Sequence, residues 1–156
     1  MKEQKKLSNS LIGSAGEYFV AGELSRHGIV AALTMSGTDA FDVLAINKST
    51  GKSFSIQVKT KRRLSEGWIL SKKAETVHGN SAYAYYIFVL LPPNDEEKPE
   101  YYIVPAEIVA QTIKTEHEMW VNTPGKGGKA HKDTSMRVFR IKQGDPRYYS
   151  RWDYFE

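Results

Sequence analysis

The sequence of 156 residues contains no cysteine, which excludes disulfide bonds, thiolate metal sites and cysteine nucleophiles. Long apolar runs are also absent, since no stretch approaches the roughly 18 apolar residues that a membrane-spanning helix needs. Residues 1–6 carry charge but lead into no apolar segment. We therefore expect no signal peptide, no membrane partner and a cytoplasmic location.

The composition is typical of a folded protein, because hydrophobic residues make up 40% of the chain and nine Tyr, six Phe and three Trp are present. The length fits one domain, spanning residues 1–156. The net charge of +4 and the pI near 9.2 favour a polyanionic partner such as nucleic acid. The basic residues Lys59, Lys61, Arg62 and Arg63 cluster in one short run, although such a run is also common as a solvated surface.

The pattern of apolar residues, helix caps and turn residues predicts an α/β domain with a mixed sheet whose first strand pairs are antiparallel. Asp39, in the loop 36–40, could cap the loop or be an extra ligand, and the cap is the favoured interpretation. A long buried strand is expected near the middle of the chain, and the last residues, with Trp152 and Phe155, should dock on the core. The predicted helices cover 8–27, 71–78 and 105–114, and the predicted strands cover 29–35, 41–47, 53–61, 83–91, 100–104 and 135–142.

The segment Ser53–Lys61 alternates polar and apolar residues without a break. A period of two places Gln57 and Lys59 on one face of the strand and the apolar residues on the other. If the turn at 47–52 joins this strand to the preceding one, Asp42 falls opposite Gln57, with their Cβ atoms about 5 Å apart. A shift by one residue would turn polar residues into the core, so the pattern favours this register.

Glu17 lies at helical spacing from Gly13, Val20 and Leu24, beside an apolar stripe of the first helix. Together with Asp42 it offers two carboxylates, and Gln57 offers an amide oxygen, which are the hard ligands that Mg²⁺ or Mn²⁺ binds. Lys59 is then placed to orient or help deprotonate a water and to offset phosphate charge.

Each of these residues also has a structural interpretation. Glu17 fits the edge of an apolar stripe, and Asp42 fits a turn cap at the start of a strand. Gln57 and Lys59 fit the exposed face of an edge strand. The functional hypothesis rests on one register that brings Asp42, Gln57 and Lys59 together.

Gly16-Glu17 on the first helix, Asp42, and then Gln57-Val58-Lys59 resemble the motifs of the PD-(D/E)XK nuclease superfamily, which includes restriction endonucleases and Holliday junction resolvases. The resemblance covers a core of about residues 10–91 and leaves 92–156 as a C-terminal extension. It implies a restriction-endonuclease-like core with the order αβββαβ, in which a central mixed sheet is flanked by helices. By matching positions, Glu17, Asp42 and Gln57 would bind Mg²⁺, and Lys59 would assist hydrolysis.

Two positions depart from the family pattern. Phe41 stands where the motif has Pro, a tolerant position, and Gln57 stands where it has Asp or Glu. We therefore expect weaker metal binding in a DNA endonuclease that uses Mg²⁺ or Mn²⁺, with Lys61, Arg62 and Arg63 contacting phosphates and a homodimer able to cut both strands. The alternatives are a nucleic-acid-binding module that has lost cleavage and a protein-interaction accessory domain.

Overall fold

A computed structural model of the chain describes residues 7–35, 40–63, 65 and 67–156. The predicted cap Asp39 lies outside these residues. The described helices and strands are α1 (Asn9–Arg26), β1 (Val30–Leu33), β2 (Val43–Ile46), β3 (Ser53–Lys61), β4 (Trp68–Ser71), β5 (Ala84–Leu90), β6 (Glu100–Pro105), α2 (Ala106–Asn122) and β7 (Met136–Phe139).

The five strands of the main described sheet have the order β1-β2-β3-β5-β6. The β1–β2, β2–β3 and β5–β6 pairs are antiparallel, and the β3–β5 pair is parallel. The predicted mixed sheet with antiparallel first pairs is therefore confirmed. The predicted buried strand 83–91 corresponds to β5, whose residues from Tyr86 onward are all buried because strands cover both of its edges and apolar layers cover both of its faces.

Local signals set the ends of α1 and the turn of the β2–β3 hairpin. The Ser8 hydroxyl oxygen accepts the Leu11 N–H at 3.2 Å, and Gly28 leaves the helix with a positive φ of 78° that glycine adopts without strain. In the hairpin turn, the Asn47 side-chain oxygen accepts the Ser49 N–H at 2.9 Å. This turn gives the predicted register, because Val43 pairs with Ile56 and Ala45 pairs with Phe54.

Two apolar cores lie on opposite faces of the sheet. One core contains Val20 and Leu24 of α1, the apolar face of β3, and Trp152 and Phe155, which confirms that the C-terminal residues dock. The other core lies between the sheet and α2 and also includes Trp68 of β4 and Phe139 of β7.

The structure departs from the predicted elements at three points. The predicted helix 71–78 is only a 3₁₀ turn at Lys72–Glu75, so the second helix of the expected αβββαβ order is reduced to one turn. Strand β4 was not predicted, because its four residues are too few for a clear alternation. Helix α2 begins after Pro105 and continues to Asn122, beyond the predicted end at 114.

Strands β4 and β7 pair antiparallel in a separate two-stranded sheet, here called the β4–β7 ribbon. The predicted last strand therefore exists as β7, but it does not join the main sheet. The side chains of Arg137 in β7 and Glu75 in the 3₁₀ turn form a hydrogen-bonded ion pair, with Arg137 only 3% exposed. This pair fixes the ribbon against the turn that precedes β5.

Candidate active site

Asp42 lies at the entry to β2, and the hairpin register brings it next to Gln57 on β3. The Gln57 side-chain Nε2 donates to Asp42 Oδ2 at 3.4 Å. Asp42 N–H donates to the Ile56 carbonyl oxygen at 2.9 Å, which fixes the backbone at this point. The predicted proximity of an acid and an amide on one face of the sheet is therefore present.

The Asp42 carboxylate also has a structural contact. Oδ2 accepts the backbone N–H of Val58 at 2.7 Å, two residues beyond the last β2–β3 pair, Val43 with Ile56, where β2 offers no strand residue to Val58. This hydrogen bond holds the carboxylate in place. Within the described ranges, no hydrogen bond reaches the other oxygen, Oδ1, so that atom is available to a ligand.

Lys59 lies two residues after Gln57, on the same face of β3, and its side chain is half-buried. Among the described residues no ion pair holds its ammonium group. Asp42, Gln57 and Lys59 therefore lie at one end of the β2–β3 pair, and no described acid forms an ion pair with the Lys59 ammonium.

Glu17 lies on α1, which packs through Val20 and Leu24 on the apolar face of the sheet, opposite the face that carries Gln57 and Lys59. Burial raises the pKa of the Glu17 carboxyl, the nearby charge of Asp42 raises it further, and Lys59 lowers it. Asp42 and Lys59 are therefore close enough to Glu17 to influence the pKa of its carboxyl. The electrostatic coupling links the helix carboxylate to the strand residues, although they come from different layers of the fold.

A tight contact at Gly16 sets the position of Glu17. A Cβ atom at residue 16 would lie 1.8 Å from Thr60 Oγ1 and 2.9 Å from Thr60 Cβ, so only glycine allows α1 to approach β3 this closely. The close neighbour at Gly16 is thus the side chain of Thr60.

The donor set can be compared with what a divalent cation requires. Carboxylate and amide oxygens are hard ligands of the kind that Mg²⁺ binds, usually together with waters and substrate oxygens. In the part of the chain that the structure describes, no group of three or more His, Cys, Asp and Glu residues could hold a metal. Glu17, Asp42 and Gln57 offer oxygens of this kind, and a bound cation would offset the charge of Asp42 that raises the Glu17 pKa.

A cavity of about 680 Å³ opens beside Gln57 and Lys59. Its lining also includes Tyr86, Lys73 and His78, which the sequence analysis did not assign to the site. Tyr86 pairs with Gln57 in the parallel β3–β5 ladder, and burial together with the charge of Asp42 raises the pKa of its hydroxyl. The signal was the hydroxyl-bearing pair Tyr85 and Tyr86 in a strand that is otherwise apolar, but only the strand pairing places Tyr86 beside Gln57.

The three basic residues predicted to contact nucleic acid have different surroundings. Lys61 Nζ donates to the carbonyl oxygens of Gly67 at 3.1 Å and Ser65 at 3.4 Å, and lies 4.1 Å from the centre of the Trp68 ring. Burial lowers the pKa of Lys61. Arg62 is half-buried and its Nε has no hydrogen-bond partner among the described residues, whereas Arg63 is exposed. The Lys61 ammonium thus already holds the segment that leads into β4.

None of the described helices is both long enough and apolar enough to cross a bilayer.

No protein-family model and no curated protein matches this sequence. Among solved structures, the chain is similar to the bacterial homing endonuclease I-Ssp6803I, with a TM-score of 0.55 and 9% identity over 94% of this chain and 92% of that chain. It is also similar to Archaeoglobus fulgidus Hjc, a Holliday junction resolvase from an archaeal hyperthermophile, with a TM-score of 0.48 and 17% identity over 82% and 83% of the two chains. At such low identity the likeness to the homing endonuclease is one of fold, and it confirms the expected restriction-endonuclease-like α/β architecture.

Proposed function

We propose that this protein is a metal-dependent endonuclease that hydrolyses phosphodiester bonds of DNA. The observation that carries the proposal is the meeting of Asp42 and Gln57, 3.4 Å apart, with Lys59 on the same face and the Glu17 carboxyl electrostatically coupled to Asp42 and Lys59. A fold shared with a homing endonuclease supports the proposal.

In this proposal Glu17, Asp42 and Gln57 bind Mg²⁺ or Mn²⁺. When bound, the cation supplies Lewis-acid polarisation of the phosphoryl oxygen and a more acidic water. The unpaired Oδ1 of Asp42 would be the ligand atom for the cation, while Oδ2 keeps its hydrogen bond from Val58 N–H. Lys59 orients the attacking water and offsets the negative charge that develops on the phosphate.

The basic residues supply the attraction for the DNA backbone. Each phosphate neutralised by Lys or Arg releases counterions, so binding should weaken as salt rises. We assign Arg62 and Arg63 to phosphate contact. Lys61 joins them by sharing its ammonium between a phosphate and the carbonyl oxygens that it already contacts. Because one such site cuts one strand at a time, we further propose that two copies act on a duplex.

The test is cleavage of supercoiled plasmid and branched DNA in the presence of Mg²⁺ or Mn²⁺. The informative variant is Asp42→Asn, because an amide oxygen can still accept the Val58 N–H while it lacks the charge that binds a cation. We expect the variant to fold like the wild type by circular dichroism and to lose at least about a hundredfold in cleavage rate, the scale of one lost electrostatic contact in a transition state. Full activity in Asp42→Asn would contradict the proposal.

Gln57 favours one second candidate, a module that binds nucleic acid without cutting it. The amide in place of an acid leaves two carboxylates in the described donor set. This candidate predicts no cleavage by the wild type in the same assay, together with salt-sensitive DNA binding in a separate binding measurement. If the wild type neither binds nor cuts nucleic acid at low salt, a protein-interaction role replaces both candidates.

A further inference from the structure

Two cavities lie on either side of β4 and have Lys59 and Ile69 in common. The first is the cavity of about 680 Å³ beside Gln57, and the second, of about 530 Å³, lies between the start of α1 and the end of β3. Both are open to solvent and both are lined by Lys59, so they border each other at the candidate active site, and together they are here called the basic path. Ile69 stands between them and is 71% exposed.

The lining of this path has one sign of charge. Lys73 and His78 lie in the first cavity, and Lys61 and Arg62 lie in the second. None of the described residues that line either cavity is an Asp or a Glu. A chain of phosphates is complementary to such a path, because every position along it meets positive or neutral groups.

The outward face of the β4–β7 ribbon is apolar at the same place. Ile69 pairs with Val138 across the ribbon, and the neighbouring Met136, opposite Ser71, is 52% exposed. The inward face is buried through Trp68 and Phe139, so the ribbon is held firmly while Ile69 and Met136 project. Single exposed apolar residues need no explanation, but here they border a basic path at its junction.

We infer that the substrate strand crosses the ribbon between the two cavities, with its phosphates in the basic path and its bases, turned out of the stack, against Ile69 and Met136. This inference rests on the proposed function and specifies its substrate: a nucleic-acid strand that continues on both sides of the cleaved phosphate and is unstacked there. Apolar side chains are used by other proteins to separate base steps in this way. A second copy of the chain fits the face less well, because self-pairing would oppose like charges.

The test is binding of fluorescein-labelled single-stranded and duplex DNA, followed by fluorescence anisotropy in EDTA over a series of salt concentrations. We expect Ile69→Ala to weaken binding roughly tenfold at every salt concentration, with the salt slope unchanged, because it removes apolar burial and no charge. Arg62→Gln should instead reduce the salt slope by about one. The matched control is Ile46→Ala, since Ile46 is 39% exposed on β2 and lines neither cavity.

A second probe carries 2-aminopurine near the middle of the strand. Its fluorescence should rise when the wild type binds and should rise less with Ile69→Ala, because the base is no longer kept unstacked.

The outcomes separate the inference from the proposed function. If the wild type binds DNA and Ile69→Ala binds equally well with the same probe signal, the inference is overturned and the nuclease proposal stands. If the wild type binds no nucleic acid, both are overturned. If sedimentation shows a wild-type dimer that Ile69→Ala dissociates while DNA binding is unchanged, the ribbon face joins copies, and the inference is again overturned.

Discussion

Asp42 combines a structural contact with a proposed catalytic one. Its Oδ2 accepts the Val58 N–H at 2.7 Å, which fixes the direction of the carboxylate, and its Oδ1 is left for a ligand. The structural interpretation of Asp42 as a strand-start cap and the functional interpretation are therefore compatible. A carboxylate held by a backbone donor needs no reorganisation when a cation or substrate arrives.

Gln57 is the residue whose substitution tests the metal site most directly. In the wild type, the Gln57 amide and the Asp42 carboxylate contact each other at 3.4 Å. Gln57→Glu replaces this contact with two carboxylates side by side. We expect the free energy of unfolding without metal to fall by about 1–4 kcal/mol, the Coulomb repulsion of two charges near a protein surface. Calorimetry should show Mg²⁺ or Mn²⁺ binding roughly tenfold more tightly.

The control for this prediction is Gln111→Glu, which adds the same charge at an exposed position of α2. It should leave both the unfolding free energy and metal affinity nearly unchanged. Equal or weaker metal binding by Gln57→Glu would show that residue 57 is not a ligand.

Glu17 should make stability depend on pH. Its carboxyl pKa is raised above the ordinary value of 4.5, first by burial and then by Asp42. The folded protein therefore holds this proton more strongly than the unfolded chain, so ionisation of Glu17 destabilises the fold. The destabilisation is absent below the ordinary pKa and grows as pH rises from there through the raised pKa.

We accordingly expect Glu17→Gln to match the wild type at low pH and to become more stable than it as pH rises through that window, in metal-free buffer. Urea unfolding at a series of pH values measures the difference. The exposed Glu118→Gln serves as control, and a stability difference that shrinks with rising pH would refute the prediction.

At the scale of elements, the contact between α1 and β3 depends on Gly16. The substitution Gly16→Ala places a methyl group 1.8 Å from Thr60 Oγ1, which is closer than a Cβ atom can lie to another side chain. We expect a loss of about 1–3 kcal/mol in the free energy of unfolding, the usual effect of overpacking. Because Glu17 follows directly, the same shift should reduce any metal binding at the site.

Gly13 provides a matched control on the same helix, since a Cβ there meets nothing within 4 Å. Gly13→Ala should stabilise the protein by up to about 1 kcal/mol, through the better helix propensity of alanine. Adding Thr60→Ala to Gly16→Ala should recover part of the loss, because it removes two of the three close atoms. Chemical denaturation of the wild type, the two glycine variants and the Gly16→Ala/Thr60→Ala double variant measures these differences in unfolding free energy. An equal effect at both glycines would contradict the close-contact account.

The elements also show where local sequence signals are sufficient. Ser8, Gly28 and the turn at Asn47 determine helix and hairpin ends through interactions within a few residues, and they agree with the predicted helix 8–27 and the predicted turn 47–52. The 3₁₀ turn at Lys72–Glu75 and the strand β4 were missed because their structure comes from distant partners. Ser71 of β4 pairs with Met136 and Glu75 pairs with Arg137, contacts that no local pattern reveals.

At the scale of the whole molecule, the C-terminal residues close the core beneath the β2–β3 hairpin. Phe155 is fully buried, its ring lies 5.1 Å from that of Phe54 and 5.2 Å from that of Tyr85, and its carbonyl oxygen accepts the side chain of Asn47 at 2.9 Å. The end of the chain is thus joined to the hairpin that carries the candidate site.

Phe155→Ala should therefore lower the free energy of unfolding by about 3–5 kcal/mol, the range for removal of a buried aromatic ring. Thermal and urea unfolding measure it. The control Tyr149→Ala, at a residue 43% exposed in the same C-terminal segment, should lose clearly less. A small effect at Phe155 would mean that the core closes without the C-terminal turn.

The sequence by itself determined the α/β class, the first helix, the hairpin register and the meeting of Asp42 with Gln57 and Lys59. These follow from alternation, caps and turns, which act between residues near in sequence. Only the tertiary structure decided that Tyr86 lies beside Gln57, that the β4–β7 ribbon stands apart from the main sheet, and that two basic cavities meet at Lys59. Such features arise from packing between segments far apart in the chain, where many pairings satisfy the same pattern and the close fit of side chains selects one.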